Sequence, residues 1–218
     1  MGDRTDETRM RPPGVESPTW EVTERSVTID DFAPRCDVGV AEHVVTDAPP
    51  EEMYRALRYL DLLDIHSRIA DFAWWMRGLP ERIERRVPPR EPTRLTFDDL
   101  CTSGEWVLLG EQPGREVVFG AVGRFWTPIV RMEEISAVEF PGYGKPGRGK
   151  IAAAFSVRPY GRGGSIATYD VRTMLDDPIT RRIFTLYWRT VRPFVRAIMR
   201  ATLRTAAKRA VRPDAGSG

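Results

Sequence analysis

The sequence predicts an α+β fold in which a curved antiparallel β-sheet wraps around a long C-terminal α-helix, with two short helices after the first strand. Three observations predict it. Strand-like runs in the middle of the chain are joined by glycine-containing turn signals, the last part of the chain carries a long amphipathic pattern, and the strands precede that helix instead of alternating with helices. This order favours an α+β fold over a parallel βαβ sheet.

Composition is consistent with one domain that has tails. The chain has 218 residues, of which 41% are hydrophobic, so it can bury a substantial core. Its formal net charge of +2 gives no overall attraction to nucleic acid. We expect a flexible N-terminal tail at residues 1–35, a ligand-binding domain at 36–210 and a disordered C-terminus at 211–218.

The cysteines and the N-terminal segment bear on the compartment. Cys36 and Cys101 cannot build a disulfide framework and neither lies in a C-x-x-C motif, so we expect reduced thiols. Residues 1–24 lack the apolar run of a secretory signal, and no stretch approaches the roughly 20 apolar residues that cross a bilayer. We therefore expect a soluble cytoplasmic protein, with a monomer and a homodimer both left open.

The first elements follow from alternation and from helix-start signals. Valines alternate along residues 37–46, which predicts a half-buried strand. Pro50 and the two acids after it suit a first helical turn, and the apolar spacing predicts a short helix over 50–60. Residues 65–76 predict a second short helix, and the proline- and arginine-rich segment 79–94 predicts a surface loop.

Two turn signals predict two hairpins. Their strands are 106–110 with 115–122, and 150–160 with 165–175. Alternation in the second hairpin places apolar residues of mixed size on one concave face: Ile151, Ala153, Phe155, Val157, Ala167, Tyr169 and Val171. Small residues beside aromatic rings leave room on that face for a helix or a ligand.

The last helix is predicted from Asp177, a plausible cap, to about Ala210, with a bend at Pro193. An apolar stripe follows Phe184, Tyr187, Trp188, Val191, Val195, Ile198 and Met199. A basic stripe follows Arg192, Arg196, Arg200, Arg204 and Lys208. The basic stripe has three interpretations: a solvated face, a weak contact with anionic lipid headgroups through Arg192, Arg196, Arg200 and Arg204, or a nucleic-acid contact, for which recognition residues are missing.

A family resemblance rests on the D-A-P-P-E-E-M-Y-x-x-L passage at 47–57, together with the closing hairpin and final helix. Here the chain resembles the SRPBCC superfamily, the helix-grip fold shared by START lipid-binding domains, polyketide cyclases and the birch-pollen allergen. More narrowly, it is similar to actinobacterial members of that superfamily. The resemblance implies a cavity between sheet and C-terminal helix that takes lipids, polyketides or similar apolar metabolites.

Candidate ligand-binding residues are mainly aromatic, because large rings with few polar partners suit an apolar ligand. They are Trp74, Trp106, Phe119, Phe125, Trp126, Tyr143, Phe155, Tyr169, Phe184, Tyr187, Trp188 and Val191. Ordinary core packing is the alternative for many of them. Tyr169 and Tyr143 are weak candidates for catalysis, because a phenol can orient a polar group or donate a proton. A structural role in the core is the alternative for Tyr169.

Other chemistry finds little support in the sequence. Residues 142–150 partly match two phosphate-binding patterns, but a strand-like run follows them where a helix N-terminus is needed. In a helix-grip protein such a loop would border the pocket mouth, with Tyr143 as a gate. His43 and His66 have no partners at metal-ligand spacing, so no metal and no cofactor is expected.

Three functional hypotheses follow. The first is a carrier or sensor that binds a small hydrophobic ligand. The second is an enzyme of the polyketide cyclase, aromatase or dehydratase type, which would hold a flexible chain in a reactive conformation. The third is a protein- or membrane-interaction module that uses the basic C-terminal helix.

Overall fold

The computed structural model describes residues 27–61, 96–102, 104–127 and 130–211. The expected helix at 65–76 and the loop at 79–94 lie outside these ranges. The helices within them are α1 (Ile29–Phe32), α2 (Pro50–Arg58), α3 (Phe97–Thr102) and α4 (Pro178–Val211). The strands are β1 (Val38–Thr46), β2 (Val107–Gln112), β3 (Glu116–Arg124), β4 (Arg131–Glu133), β5 (Gly149–Tyr160) and β6 (Gly164–Met174).

These strands form one antiparallel sheet in the order β1-β6-β5-β3-β2, and β4 pairs with β3. Both predicted hairpins are confirmed, since β2 pairs with β3 and β5 pairs with β6. The tight β5–β6 turn contains Gly161 and Gly163 at φ values of 66° and 89°, which glycine adopts without strain. The predicted α+β fold is confirmed: a curved antiparallel sheet is followed by one long C-terminal helix, which is the helix-grip arrangement.

Helix α4 begins where its sequence predicts. The Asp177 side chain accepts a hydrogen bond from the Thr180 N–H at 2.7 Å, as an N-cap does. The helix then runs for 34 residues with Pro193 inside it. None of the helices in the described ranges combines the length and the apolar character that a bilayer-crossing segment needs.

Helices α2 and α4 cover one face of the sheet, called the inner face here. Met53 and Leu57 of α2 and Leu203 of α4 pack there against Phe119 and Phe155. Register confirms that the apolar sets of the second hairpin share this face, since Phe155 lies opposite Tyr169 and Val157 opposite Ala167. Helix α4 lies along the edge strand β1 and beside α2, not centrally over the sheet.

The opposite face, called the outer face, is also covered. Helix α1 and the segment 134–148 pack on it, with Ile29 and Phe140 buried against Val118, Ala152 and Ala154. Strand β3 is consequently buried at every position except its last. A strand covered on both sides reads as a near-continuous apolar run, and the sequence V-V-F-G-A-V at 117–122 is one.

The segment expected as a flexible tail is described only from Val27 onward. There α1 docks on the outer face, because the Ile29 N–H donates to buried Glu116 at 2.9 Å and Arg172 donates to the Ala33 carbonyl at 2.8 Å. Helix α3 was not predicted. Its start is marked by Thr96 and Asp99, which exchange hydrogen bonds in a capping box.

Candidate ligand-binding site

One row of side chains crosses the inner face from edge to edge. Register places Glu42 of β1 opposite Tyr169 of β6, and Tyr169 opposite Phe155 of β5. Phe155 in turn lies opposite Val117, and Val117 opposite Glu111 of β2. The row therefore has a carboxylate at each end and an apolar, aromatic centre.

Tyr169 is the second residue of this row, next to Glu42. Its ring packs on Phe155 with centroids 4.4 Å apart and belongs to the edge of the inner cluster. Burial raises the pKa of Tyr169 to about 12, so the phenol is protonated at neutral pH. Its hydroxyl makes no hydrogen bond to any residue in the described ranges.

Tyr169 is half-buried. Its neighbours nevertheless exclude enough water to raise its pKa. The inner-face residues beside Tyr169 differ in burial. Ala153 and Ala167 are buried, whereas Val171 is half-buried. Tyr169 therefore packs against its neighbours while part of the residue is reached by solvent. An unpaired hydroxyl in such a place can donate or accept a hydrogen bond.

At the β1 end, Glu42 binds two arginines of α4. Arg196 Nε donates to Glu42 Oε1, and Arg200 Nε donates to Oε2 at 2.6 Å. The Glu42 side chain is 8% exposed. Burial alone would raise its pKa, but the two arginine hydrogen bonds outweigh that effect and lower it, so Glu42 is charged.

This arrangement changes the interpretation of the basic stripe. Two of its five cations, Arg196 and Arg200, bind the sheet and fasten α4 to β1. Arg192, Arg204 and Lys208 are exposed. The basic stripe is therefore only partly a solvated face, because two of its arginines bind Glu42. A membrane contact through Arg196 and Arg200 would have to replace their ion pairs with Glu42.

At the β2 end, Glu111 accepts a hydrogen bond from the Tyr54 hydroxyl at 2.6 Å and another from Arg58 Nε at 3.1 Å. Arg58 also pairs with Asp98 of α3 at 2.9 Å. Burial, together with the bond to Glu111, raises the pKa of Tyr54. This cluster ties α2 and α3 to the far edge of the sheet.

The structure separates the predicted aromatic residues into groups. Trp106, Phe119, Phe155 and Tyr169 lie together at the α2 end of the inner face. Phe125, Trp126, Phe184, Tyr187 and Trp188 form a second cluster around the start of α4, with ring centroids 5.1 to 6.0 Å apart. Val191 is half-buried on α4. Trp74 lies outside the described residues.

Tyr143 is not brought together with Tyr169. It packs on the outer face, and its hydroxyl donates to Glu133 Oε2 at 3.1 Å. Lys145 and Arg148 also bind Glu133, at 2.8 and 2.6 Å, and they lower its pKa to about 2. Tyr143 therefore does not line the inner face and cannot be the gate of a recess there.

The two described surface depressions lie elsewhere. One, of about 480 Å³, is open and lies beside Tyr143 on the segment 134–145. The other, of about 320 Å³, lies at the free edge of β1 beside Cys36, Arg192 and Arg196. Neither is lined by the inner-face aromatics, and neither reaches Tyr169.

Other candidates are placed as follows. The glycine-rich loop at 142–149 leads into β5, and the Gly147 N–H is bound by Asp177 Oδ2 at 2.9 Å, where a phosphate would need it free. His43 is exposed and bonds to Thr168 Oγ1 at 2.8 Å, and His66 lies outside the described residues. In the described part of the chain no group of three His, Cys, Asp or Glu side chains could hold a metal ion.

Glu42 is the site residue that sequence reasoning missed. A signal was present, because Glu42 lies between Val40 and Val44 on the apolar face of the first strand, where an acid needs a partner. The partner itself was hidden, because Arg196 follows 154 residues later.

The fold is a helix-grip α+β fold, and its inner face carries a phenol without a hydrogen-bond partner among the described residues. No protein-family model and no curated protein matches the chain. The chain is similar at low identity to three solved structures. Truncated norcoclaurine synthase from Thalictrum flavum has 9% identity over 81% of this chain and 94% of that chain, with a TM-score of 0.37. Zhui aromatase/cyclase from Streptomyces sp. R1128 has 13% identity over 83% and 99%, with a TM-score of 0.30, and TTHA0849 from Thermus thermophilus has 12% identity over 80% and 97%, with a TM-score of 0.31. At these values the overlays say nothing about what this chain binds.

Proposed function

We propose that the protein binds a small, mostly apolar molecule on the inner face of its sheet, with Tyr169 contacting a polar group of that molecule. The observation that carries the proposal is the Tyr169 hydroxyl, which has no hydrogen-bond partner in the described ranges although burial raises its pKa to about 12. Tyr169 is half-buried, and its hydroxyl is not one of the fully buried polar atoms that lack a partner, so it can be reached by another molecule. A bound polar group would supply the missing hydrogen bond.

The neighbours of Tyr169 define the chemistry of the ligand. Phe155, Ala153, Ala167 and Val171 offer only apolar surface. Glu42, directly opposite on β1, already binds Arg196 and Arg200 through both carboxylate oxygens. The polar part of the ligand therefore meets one neutral phenol and, beyond it, a cluster of net charge +1, which suits a carbonyl, hydroxyl or carboxylate oxygen.

Binding as a carrier or sensor is favoured over catalysis because, in the row across the inner face, Tyr169 is the one polar side chain without a partner among the described residues. The raised pKa makes Tyr169 a poor base at neutral pH, and the carboxylates at the two ends of the row are held in ion pairs. General acid–base catalysis ordinarily needs a group whose pKa lies near the working pH.

One observation favours the second candidate, a cyclase, aromatase or dehydratase. A phenol that stays protonated can donate a hydrogen bond to an oxygen on which negative charge develops. If the bound molecule proves to be a reactive polyketone-like chain, replacing Tyr169 with phenylalanine should lower kcat more than it raises KM. An effect on KM alone would leave binding as the function.

The binding proposal is tested by native mass spectrometry of the protein purified from cells, comparing wild type with Tyr169→Phe. The substitution removes only the hydroxyl. We expect a bound mass in the wild type, and a variant whose affinity for the extracted molecule is weaker by about tenfold, as for one lost hydrogen bond. Melting temperatures should stay within a few degrees of each other.

Tyr160→Phe is the matched control, because Tyr160 is 56% exposed at the end of β5. It should leave both the bound mass and the affinity unchanged. Equal occupancy in wild type and Tyr169→Phe, or a wild type that carries nothing and is not stabilised by any apolar compound, would refute the proposal.

A further inference from the structure

The side of helix α4 that is turned away from the sheet carries large apolar side chains that are exposed. Ile179, Ile183 and Leu186 are 72%, 51% and 69% exposed. Residues three and four apart lie on the same side of a helix, so the three form a ridge about 10 Å long. Thr180 and Phe184, on the side toward the sheet, are buried. We call Ile179, Ile183 and Leu186 the apolar ridge.

The ridge continues along the same side of the helix toward its C-terminus. Helical spacing places Thr190, Phe194 and Ala197 next, and Phe194 is 45% exposed. Arg204 and Lys208 follow on that side, and both are exposed. Single exposed apolar residues are ordinary, but a contiguous row on one helix marks a contact surface.

Within the helix, the charges beside the ridge are all positive. Arg182 and Arg189 lie beside it, are exposed and make no ion pair with any described residue. The whole helix, Pro178–Val211, contains no Asp or Glu. Of the acids near its start, Asp37 pairs with Arg181 at 2.6 Å and Asp177 binds the N–H groups of Thr180 and Gly147, whereas Asp176 is exposed.

The structure assigns this side of α4 as a docking surface for an anionic lipid membrane. Aliphatic side chains on one line with cations beside them are what a helix lying in the plane of a bilayer interface presents. Its ridge would enter the headgroup boundary while Arg182 and Arg189 contact anionic headgroups. A nucleic-acid surface would use cations but gives the aliphatic ridge no role.

This surface differs from the basic stripe expected from the sequence. Arg196 and Arg200 bind Glu42 and fasten the helix to the sheet, whereas Ile179, Ile183 and Leu186 lie nearer the start of the helix and are exposed. The inference goes beyond the proposed function, because a chain that binds no ligand could still dock, and a ligand carrier need not.

The test is co-sedimentation of the full chain with vesicles of phosphatidylcholine alone and of phosphatidylcholine mixed with phosphatidylglycerol. The wild type should bind the mixed vesicles, and binding should weaken as salt rises. The ridge variant Ile179→Gln, Ile183→Gln, Leu186→Gln keeps good helix formers and should bind at least about tenfold more weakly. Arg182→Gln with Arg189→Gln should weaken binding to mixed vesicles by about tenfold.

Matched controls are Val138→Gln, an apolar residue that is 91% exposed on the outer-face segment, and Arg162→Gln in the β5–β6 turn. Neither should change binding, and circular dichroism should show every variant folded. Equal binding of the wild type to both vesicle types, or unchanged binding of the ridge variant, would overturn the assignment. A wild-type dimer that the ridge variant converts to monomer would also overturn it, in favour of self-association.

Discussion

At the scale of single residues, Glu42 decides how the long helix sits. An acid that is 8% exposed on an apolar strand face carries a desolvation cost, and two arginines from α4 offset it through one hydrogen bond to each oxygen. The arginines are 41% and 49% exposed, so water screens part of the gain. The cluster's main consequence is positional, because it fixes α4 over β1 beside Tyr169.

Replacing Glu42 with Gln should destabilise the fold by about 1 to 2 kcal/mol at neutral pH, because two charge-assisted hydrogen bonds are lost. The native pKa of Glu42 is lowered, so the contribution is fully present above its unfolded value of about 4.3 and is lost as pH falls through the native pKa. Urea unfolding of both proteins should therefore show a stability gap that narrows below about pH 4.

Glu105→Gln serves as the control, because Glu105 is exposed in a turn before β2. It should leave the free energy of unfolding within about 0.5 kcal/mol of wild type. A Glu42→Gln protein as stable as this control at neutral pH would show that the cluster does not fasten α4.

At the scale of elements, strand β3 shows what alternation could and could not predict. The two hairpins were predictable because glycine turns separate runs of apolar residues, and the start of α4 was predictable from Asp177. The packing of segment 134–148 on the outer face was not predictable. The segment 134–148 has no helical or strand period, and only the unbroken apolar run at 117–122 hinted that β3 is buried twice.

Gly120 of β3 gives a test of that second cover. A Cβ at this position would lie 2.7 Å from Phe140 Cε2 and 2.8 Å from Leu109 Cδ1. Both neighbours belong to the outer cluster, so Gly120→Ala should cost about 1 to 3 kcal/mol through overpacking, measured by urea unfolding.

Gly142→Ala is the matched control, because its nearest neighbour would be the Glu139 carbonyl at 3.9 Å. Its effect on the free energy of unfolding should be within about 0.5 kcal/mol. Equal effects of the two substitutions would mean that Phe140 does not rest on β3.

At the scale of the whole molecule, the described residues form a sheet with a different role on each face. The outer face is covered by α1 and by the segment 134–148. On that segment Tyr143 and Lys145 donate hydrogen bonds to Glu133. The inner face lies beneath α2 and α4, and Tyr169, one strand in from the β1 edge, has no hydrogen-bond partner there among the described residues. Sequence patterns identified Tyr169 as an inward residue, but they grouped Tyr143 with it, because nothing in the pattern shows which face a loop covers.

The most direct test of an inner-face binding site is a methyl NMR titration of the full chain with 1-anilinonaphthalene-8-sulfonate, a probe with apolar rings and one anionic group. Strand β5 carries its own control, since Ala153 faces inward while Ala152 and Ala154 face outward. The account predicts saturable shifts at Ala153, Ala167 and Val171, weakened in Tyr169→Phe, with Ala152 and Ala154 unmoved. Shifts at Ala152 and Ala154, or no saturable change at Ala153 and Val171, would contradict it.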